Sequence, residues 1–198
     1  MSTEQEIIIR VENLTVAYDE TVIIDNISFD VHKGEVFVIL GGSGCGKSTL
    51  LKQMIGLYAP ASGRILIGGD DIVSAEGSDR LRILRKIGVM YQSGALFGSM
   101  TLFENVRLPL EEFTNLNSSA MDLIVLMKLK QVGLKGFENH MPSELSGGMQ
   151  KRAAIARAMV LDPQILFLDE PSAGLDPITS AELDQLIISL ARNLRITF

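Results

Sequence analysis

Gly41, Gly42, Gly44 and Gly46 surround Ser43 and Cys45 and lead into Lys47-Ser48-Thr49, which is the spacing G-x-x-x-x-G-K-[ST]. Glycines in this pattern let successive backbone N–H groups turn inward as a nest for phosphate oxygens. A helix starting near Lys47 adds the positive end of its dipole. Lys47 is expected to reach the β- and γ-phosphates of a nucleoside triphosphate, Ser48 to ligate Mg²⁺ through its hydroxyl, and Thr49 to sit close to the α-phosphate. A second group follows further along, where Ile165-Leu166-Phe167-Leu168 runs into Asp169-Glu170. At the carboxyl end of a buried strand, Asp169 would hold the Mg²⁺ water shell, and Glu170 would face the γ-phosphate as the base that orients the attacking water. Between the two lies Leu145-Ser146-Gly147-Gly148-Met149-Gln150-Lys151-Arg152. Ser146 is a helix N-cap there and the glycine pair permits close backbone approach, so the segment reads as a second phosphate-binding helix end. Two half-sites for one triphosphate in a single chain suggest that another copy completes each.

These groups need strands and helices in a set order. Residues 36–40 are a continuous apolar run ending in glycines, expected as a strand buried on both faces of a parallel sheet, with a helix over 47–56 after it. Residues 7–14 and 22–31 are rich in β-branched side chains and separated by Asp19-Glu20-Thr21, which suggests two antiparallel strands. Residues 64–67 follow as a strand, 68–71 as a turn, 79–86 as a helix and 87–91 as another apolar strand. From 92 to 161 the pattern is helical, over 102–110, 118–131 and 147–160. A strand over 165–168, a helix over 179–191 and the start of a last strand at Arg195 complete the α/β alternation.

Composition narrows the class. The 198 residues carry 18 Lys and Arg against 24 Asp and Glu, a net charge of −6. The chain therefore has no overall basic field for nucleic acid or anionic lipid. Mean hydropathy is +0.25, yet no apolar run approaches the ~20 residues that cross a bilayer. The polar N-terminus lacks the features of a secretory signal, and the single cysteine excludes an internal disulfide. Both point to the cytoplasm.

The segment from Leu145 to Arg152, together with the phosphate loop and the acidic pair, resembles the signature motif of ATP-binding cassette (ABC) ATPases. The resemblance implies a P-loop NTPase (RecA-like) core with an antiparallel N-terminal β subdomain, an inserted α-helical subdomain and a missing C-terminal part. The whole of 1–198 would be one incomplete ABC ATPase domain, with the nucleotide-binding core at 7–91 and 162–198 and the helical subdomain at 92–161. It further implies a head-to-tail homodimer. Two ATP molecules would be sandwiched between the phosphate loop of one subunit and Ser146, Gly147, Gly148 and Met149 of the other. Tyr18 matches the aromatic that stacks on adenine. Gln92 matches the glutamine that senses Mg²⁺ and the attacking water, and Asp176 the loop that crosses the dimer interface. Met149 replaces the family's usual glutamine, and Gln150, about 100° around the helix, is not expected to substitute. Cys45 is expected to pack rather than to serve redox chemistry. The family's switch histidine has no counterpart, since His32 and His140 read as surface residues, so slow or absent hydrolysis is expected of this chain.

Gly88-Val89-Met90-Tyr91-Gln92-Ser93-Gly94-Ala95-Leu96-Phe97, with Thr101-Leu102-Phe103-Glu104-Asn105-Val106, is similar to the ATPases of MCE/Mla phospholipid-transport systems. That resemblance implies membrane permease subunits as partners, with an MCE substrate-binding protein and a small regulatory protein, and a peripheral position on the cytoplasmic face of the inner membrane. Leu96, Phe97, Leu102 and Phe103 could be core or docking surface. The ATPase of another ABC importer or exporter, or a soluble ABC ATPase outside transport, is the alternative.

Overall fold

The computed structural model describes residues 6–18, 21–42 and 44–198, with the side chain of Tyr18 outside the description. The chain divides into two compact units, residues 1–87 with 191–198, and residues 88–190.

In the first unit, β1 (Ile7–Tyr18) and β2 (Thr21–His32) pair antiparallel. With β3 (Ser62–Ile67) and β4 (Asp70–Asp71) they form a four-stranded sheet in the order β2-β1-β3-β4. β1 runs four residues past the expected end because its alternation is reset rather than stopped. Asn13 of β1 (φ 47°) and Asn26 of β2 (φ 46°) both adopt a left-handed conformation. Ser28 Oγ accepts from the Asn13 amide at 2.8 Å, and Thr15 Oγ1 from the Asn26 amide at 3.1 Å. Such a bulge shifts the phase of the pleat, so Val11, Leu14 and Val16 are all buried on the core side with Ile65 and Ile67 of β3. Gly68 and Gly69, both at positive φ, form the two-residue turn expected of a tight hairpin. The expected turn over 68–71 is therefore shorter, with Asp70 and Asp71 returning to the ladder opposite Ile67 and Leu66. Two helices, α1 (Lys47–Met54) and α2 (Gly77–Leu84), complete this unit.

One expectation fails here. Residues 36–40 are not a buried strand: Val38 is 64% and Leu40 87% exposed. An apolar run of this kind is buried when it lies inside a sheet whose two faces are both covered. Among the described residues, this segment is paired at its start by Phe198, which donates to Glu35 O at 2.9 Å and accepts from the Phe37 amide at 2.7 Å. The strand expected from Arg195 is present only as this contact, backed by Thr197 Oγ1 accepting from the Gly34 amide at 2.9 Å.

The second unit joins β5 (Ile87–Met90) and β6 (Ile165–Leu168) as a two-stranded sheet. A Cβ on Gly88 would lie 2.1 Å from the Ala158 carbonyl oxygen, so only glycine admits this approach. The helices are α3 (Leu102–Phe113), α4 (Ser118–Gln131), α5 (Gly147–Ala158) and α6 (Pro177–Leu194), the last ending in the first unit. α3 opens with a capping box, Thr101 Oγ1 accepting from the Glu104 amide and Glu104 returning to the Thr101 amide. α4 begins where Asn117 Oδ1 caps the Ala120 amide at 2.9 Å. Arg107 joins these helices through Asp122 and Ser118.

Candidate nucleotide-binding and catalytic residues

The phosphate loop ends in α1 through Gly46, whose left-handed backbone (φ 97°) starts the helix with no side-chain cap. Gly44 is also left-handed (φ 79°), and a Cβ on Gly42 or Gly44 would meet nothing within 4 Å. The loop is therefore bare backbone leading to a helix N-terminus, the arrangement that suits an anion. Lys47 Nζ donates across its own loop to the carbonyls of Gly41 (2.9 Å) and Gly42 (3.0 Å). A Cβ on Gly41 would lie 2.3 Å from Cys45 Sγ. Cys45 thus packs on the loop, as expected, and is nonetheless exposed. Ser48 is exposed and Thr49 half-buried in the first turn of α1. Ser43 and the Tyr18 side chain lie outside the described residues.

At the end of β6, Glu170 is held at φ 46°, a left-handed conformation that costs an ordinary residue roughly 1–2 kcal/mol. Its carboxylate Oε2 accepts from Gln92 Nε2 at 3.0 Å. Gln92 lies two residues past the end of β5, and the amide of Asp169 donates to the carbonyl of Met90 at 2.9 Å, so the two strand ends are fastened together. The sequence reading did not single out Lys151 as a site residue. It is only 8% exposed, and its Nζ donates to the main-chain carbonyl of Gln92. Burial pushes the Lys151 ammonium below its ordinary value, while Asp169 and then Glu170 pull it back up. The signal available in the sequence was a lysine one helical turn beyond a glycine pair, which alone is indistinguishable from a surface charge.

Ser146 caps α5 by accepting from the Met149 amide at 3.3 Å. The glycine pair has a packing role too: a Cβ on Gly148 would lie 2.4 Å from Thr179 Cγ2, and one on Gly147 3.3 Å from Leu175 Cδ2. Gln150 reaches back past the N-cap, its amide donating to the carbonyls of Pro142 (2.9 Å) and Leu145 (3.2 Å). It is already engaged where a substitute for the glutamine absent at 149 would have to be available.

Asp176 is the N-cap of α6. Its Oδ1 accepts from the amides of Ile178 and Thr179, and its Oδ2 from the Thr179 hydroxyl at 2.6 Å. The Thr179 hydroxyl first, then its amide, hold the carboxyl below its ordinary value. A depressed carboxyl stabilises the fold above its unfolded-state pKa and loses that contribution as pH falls through the folded one. Thermal unfolding of the protein and of Asp176→Asn should therefore differ at pH 7 and converge below the ordinary aspartate range. An unchanged difference across that range would remove the ionised cap from the account.

Of the four apolar residues after Gln92, Leu102 is fully buried core, Leu96 and Phe103 are half-buried, and Phe97 is 49% exposed. The loop carrying Phe97 is fixed from below. Asn105, fully buried, accepts from the Phe97 amide and donates to the carbonyls of Phe97, Met100 and Thr101. Arg157 donates to the carbonyls of Ala95 and Gly94, with its guanidinium 5.9 Å from the Phe97 ring centroid.

The glycine loop before α1, the acidic strand end with its glutamine and the capped glycine-pair helix lie in a chain that belongs to the ABC transporter family, whose model matches residues 24–173. It is 48% identical to the probable ribonucleotide transport ATP-binding protein mkl of Mycobacterium leprae, over 92% of this chain and 52% of that one. It is 44% identical to the intermembrane phospholipid transport system ATP-binding protein MlaF of Haemophilus influenzae, over 96% of this chain and 72% of that one. To MlaF of Escherichia coli K12 it is 45% identical, over 88% and 65%. Among solved structures, cbiO1 of Clostridium perfringens, part of the ABC transporter complex cbiONQ, aligns with a TM-score of 0.90 at 33% identity, over 98% of this chain and 77% of that one. The dimeric ATP-binding cassette MJ0796 bound to ADP and Pi aligns at 0.84 and 32%, over 96% and 85%. The chain thus spans about half the length of the mycobacterial relative.

Proposed function

We propose that this chain is the ATP-binding and ATP-hydrolysing part of an ABC transporter that moves phospholipid or hydrophobic solutes across the cell envelope. The observation that carries the hydrolytic reading is the 3.0 Å bond from the Gln92 amide to the Glu170 carboxylate, which orients a base at a strand end. The bare loop at Gly42 and Gly44 and the uncapped start of α1 suit the phosphates. Mg²⁺ would be bound by Ser48, Gln92 and Asp169 together with nucleotide oxygens. Bound there, Mg²⁺ would neutralise charge on the phosphates. Lys47 would turn from the carbonyls of Gly41 and Gly42 to the β- and γ-phosphates, and Glu170 would accept the proton of the attacking water.

The nucleotide-binding core would comprise 7–91 and 162–198, with 92–161 as the helical subdomain and Tyr18 against the adenine. Ser146, Gly147, Gly148 and Met149, with Asp176, would serve the ATP of a second copy in a head-to-tail dimer. The lipid reading rests on the names of the MlaF relatives and on the segment after Gln92. It places the protein on the cytoplasmic face of the inner membrane beneath a permease. No helix among the described residues is long and apolar enough to cross a membrane. The mycobacterial relative's name favours ribonucleotides as a second reading of the cargo.

Cys45, the only cysteine, reports on the loop. A bulky thiol reagent is expected to label it, Mg²⁺–ATP to protect it, and Lys47→Ala to abolish the protection. Labelling that leaves ATP binding intact would move the phosphates elsewhere. Co-purification from native membranes, with the bound permease and lipid identified, separates the two cargo readings.

A further inference from the structure

Gln92 is held at both ends. Its side-chain amide donates to Glu170, and its main-chain carbonyl accepts from Lys151 Nζ, which comes from α5 three residues beyond Gly148. Lys151 is nearly excluded from water, and its charge acts on Asp169 and Glu170. A buried ammonium is tolerated when opposite charge and hydrogen-bond acceptors compensate it, and here the compensating groups are the ones assigned to water and Mg²⁺.

We propose that Lys151 is a positioning residue that ties the glycine-pair helix α5 to the Gln92–Glu170 pair by fixing the glutamine's backbone. The proposal rests on reading the site as an ATPase. Neutral packing of the aliphatic stem alone would fill the same space, but it would not depend on the charge of Glu170. With the tie in place, a displacement of the N-terminal turns of α5 is passed to the glutamine and through it to the base. The helix end assigned to a second copy's nucleotide is thereby linked to the carboxylate that acts on the chain's own.

The test has two arms. Thermal unfolding of the wild type, Lys151→Met, Glu170→Gln and the double variant forms a cycle that needs no turnover. Lys151→Met is expected to lower the midpoint by about 4–8 °C, and by less than half as much once Glu170 is glutamine. Should Lys151→Met not fold, Lys151→Gln, which keeps a donor and drops the charge, runs the same cycle. In ATP turnover, Lys151→Met is expected to lower kcat about tenfold or more with KM within about twofold, and Lys151→Arg to restore most of it. Additive unfolding shifts overturn the link. Coupled shifts with an unchanged kcat overturn its role in positioning. A wild type without Glu170-dependent turnover removes the kinetic role, while the unfolding cycle still judges the contact.

Discussion

Replacing Glu170 with glutamine is expected to abolish whatever slow ATP turnover this chain has while nucleotide affinity stays within about threefold. The substitution changes very little geometry. A glutamine at 170 still offers an oxygen to the Gln92 amide, and the left-handed backbone at φ 46° is unaltered. What is lost is a group able to take a proton from water. Single-turnover measurements with excess protein separate this from a binding defect, and they also give the wild-type rate against which the expected slowness of this chain is judged. Equal rates for wild type and Glu170→Gln would mean that another group activates the water.

Gly63→Ala is expected to be the most destabilising single methyl addition in the antiparallel sheet. Gly63 sits at φ 94°, and its Cβ would lie 2.5 Å from Asn13 O, 2.6 Å from Leu14 Cα and 2.7 Å from Glu12 O. All three are backbone atoms at the bulge of β1, which no rotamer change can move away. A left-handed alanine costs roughly 1–2 kcal/mol and overpacking roughly 1–3 kcal/mol. The unfolding midpoint should therefore fall by about 5–15 °C. Gly69→Ala is the control, because Gly69 is also left-handed (φ 83°) but has nothing within 4 Å of its Cβ position. It should show the conformational cost alone, and equal losses at the two positions would show that the contact with β1 yields.

Much of this was legible because the signals are local. Ser118 and Gln131 bound α4 at the residues expected, since a periodic run specifies a helix without outside help. The bulge at Asn13 was not legible, because the alternation on either side of it looks like a strand ending. The helix expected over 179–191 begins two residues earlier, at Pro177, because Asp176 caps it. Residues 36–40 carried an unambiguous strand pattern, yet pattern records what a segment needs and not whether neighbours supply it. Lys151 and Asn105 were hidden for a different reason: a buried polar residue declares itself only through partners far away in sequence, here Gln92 across 59 positions and, more locally, the loop from Phe97 to Thr101.

Val36, Phe37, Val38, Ile39 and Leu40 are exposed among the described residues although none of the five carries a charge. Phe37 gives its N–H to Phe198 and lays its ring on that of Phe29. An uncovered apolar run beyond such a pair is a surface on which another strand can add. Because the run leads directly into the phosphate loop, whatever covers it also borders the loop.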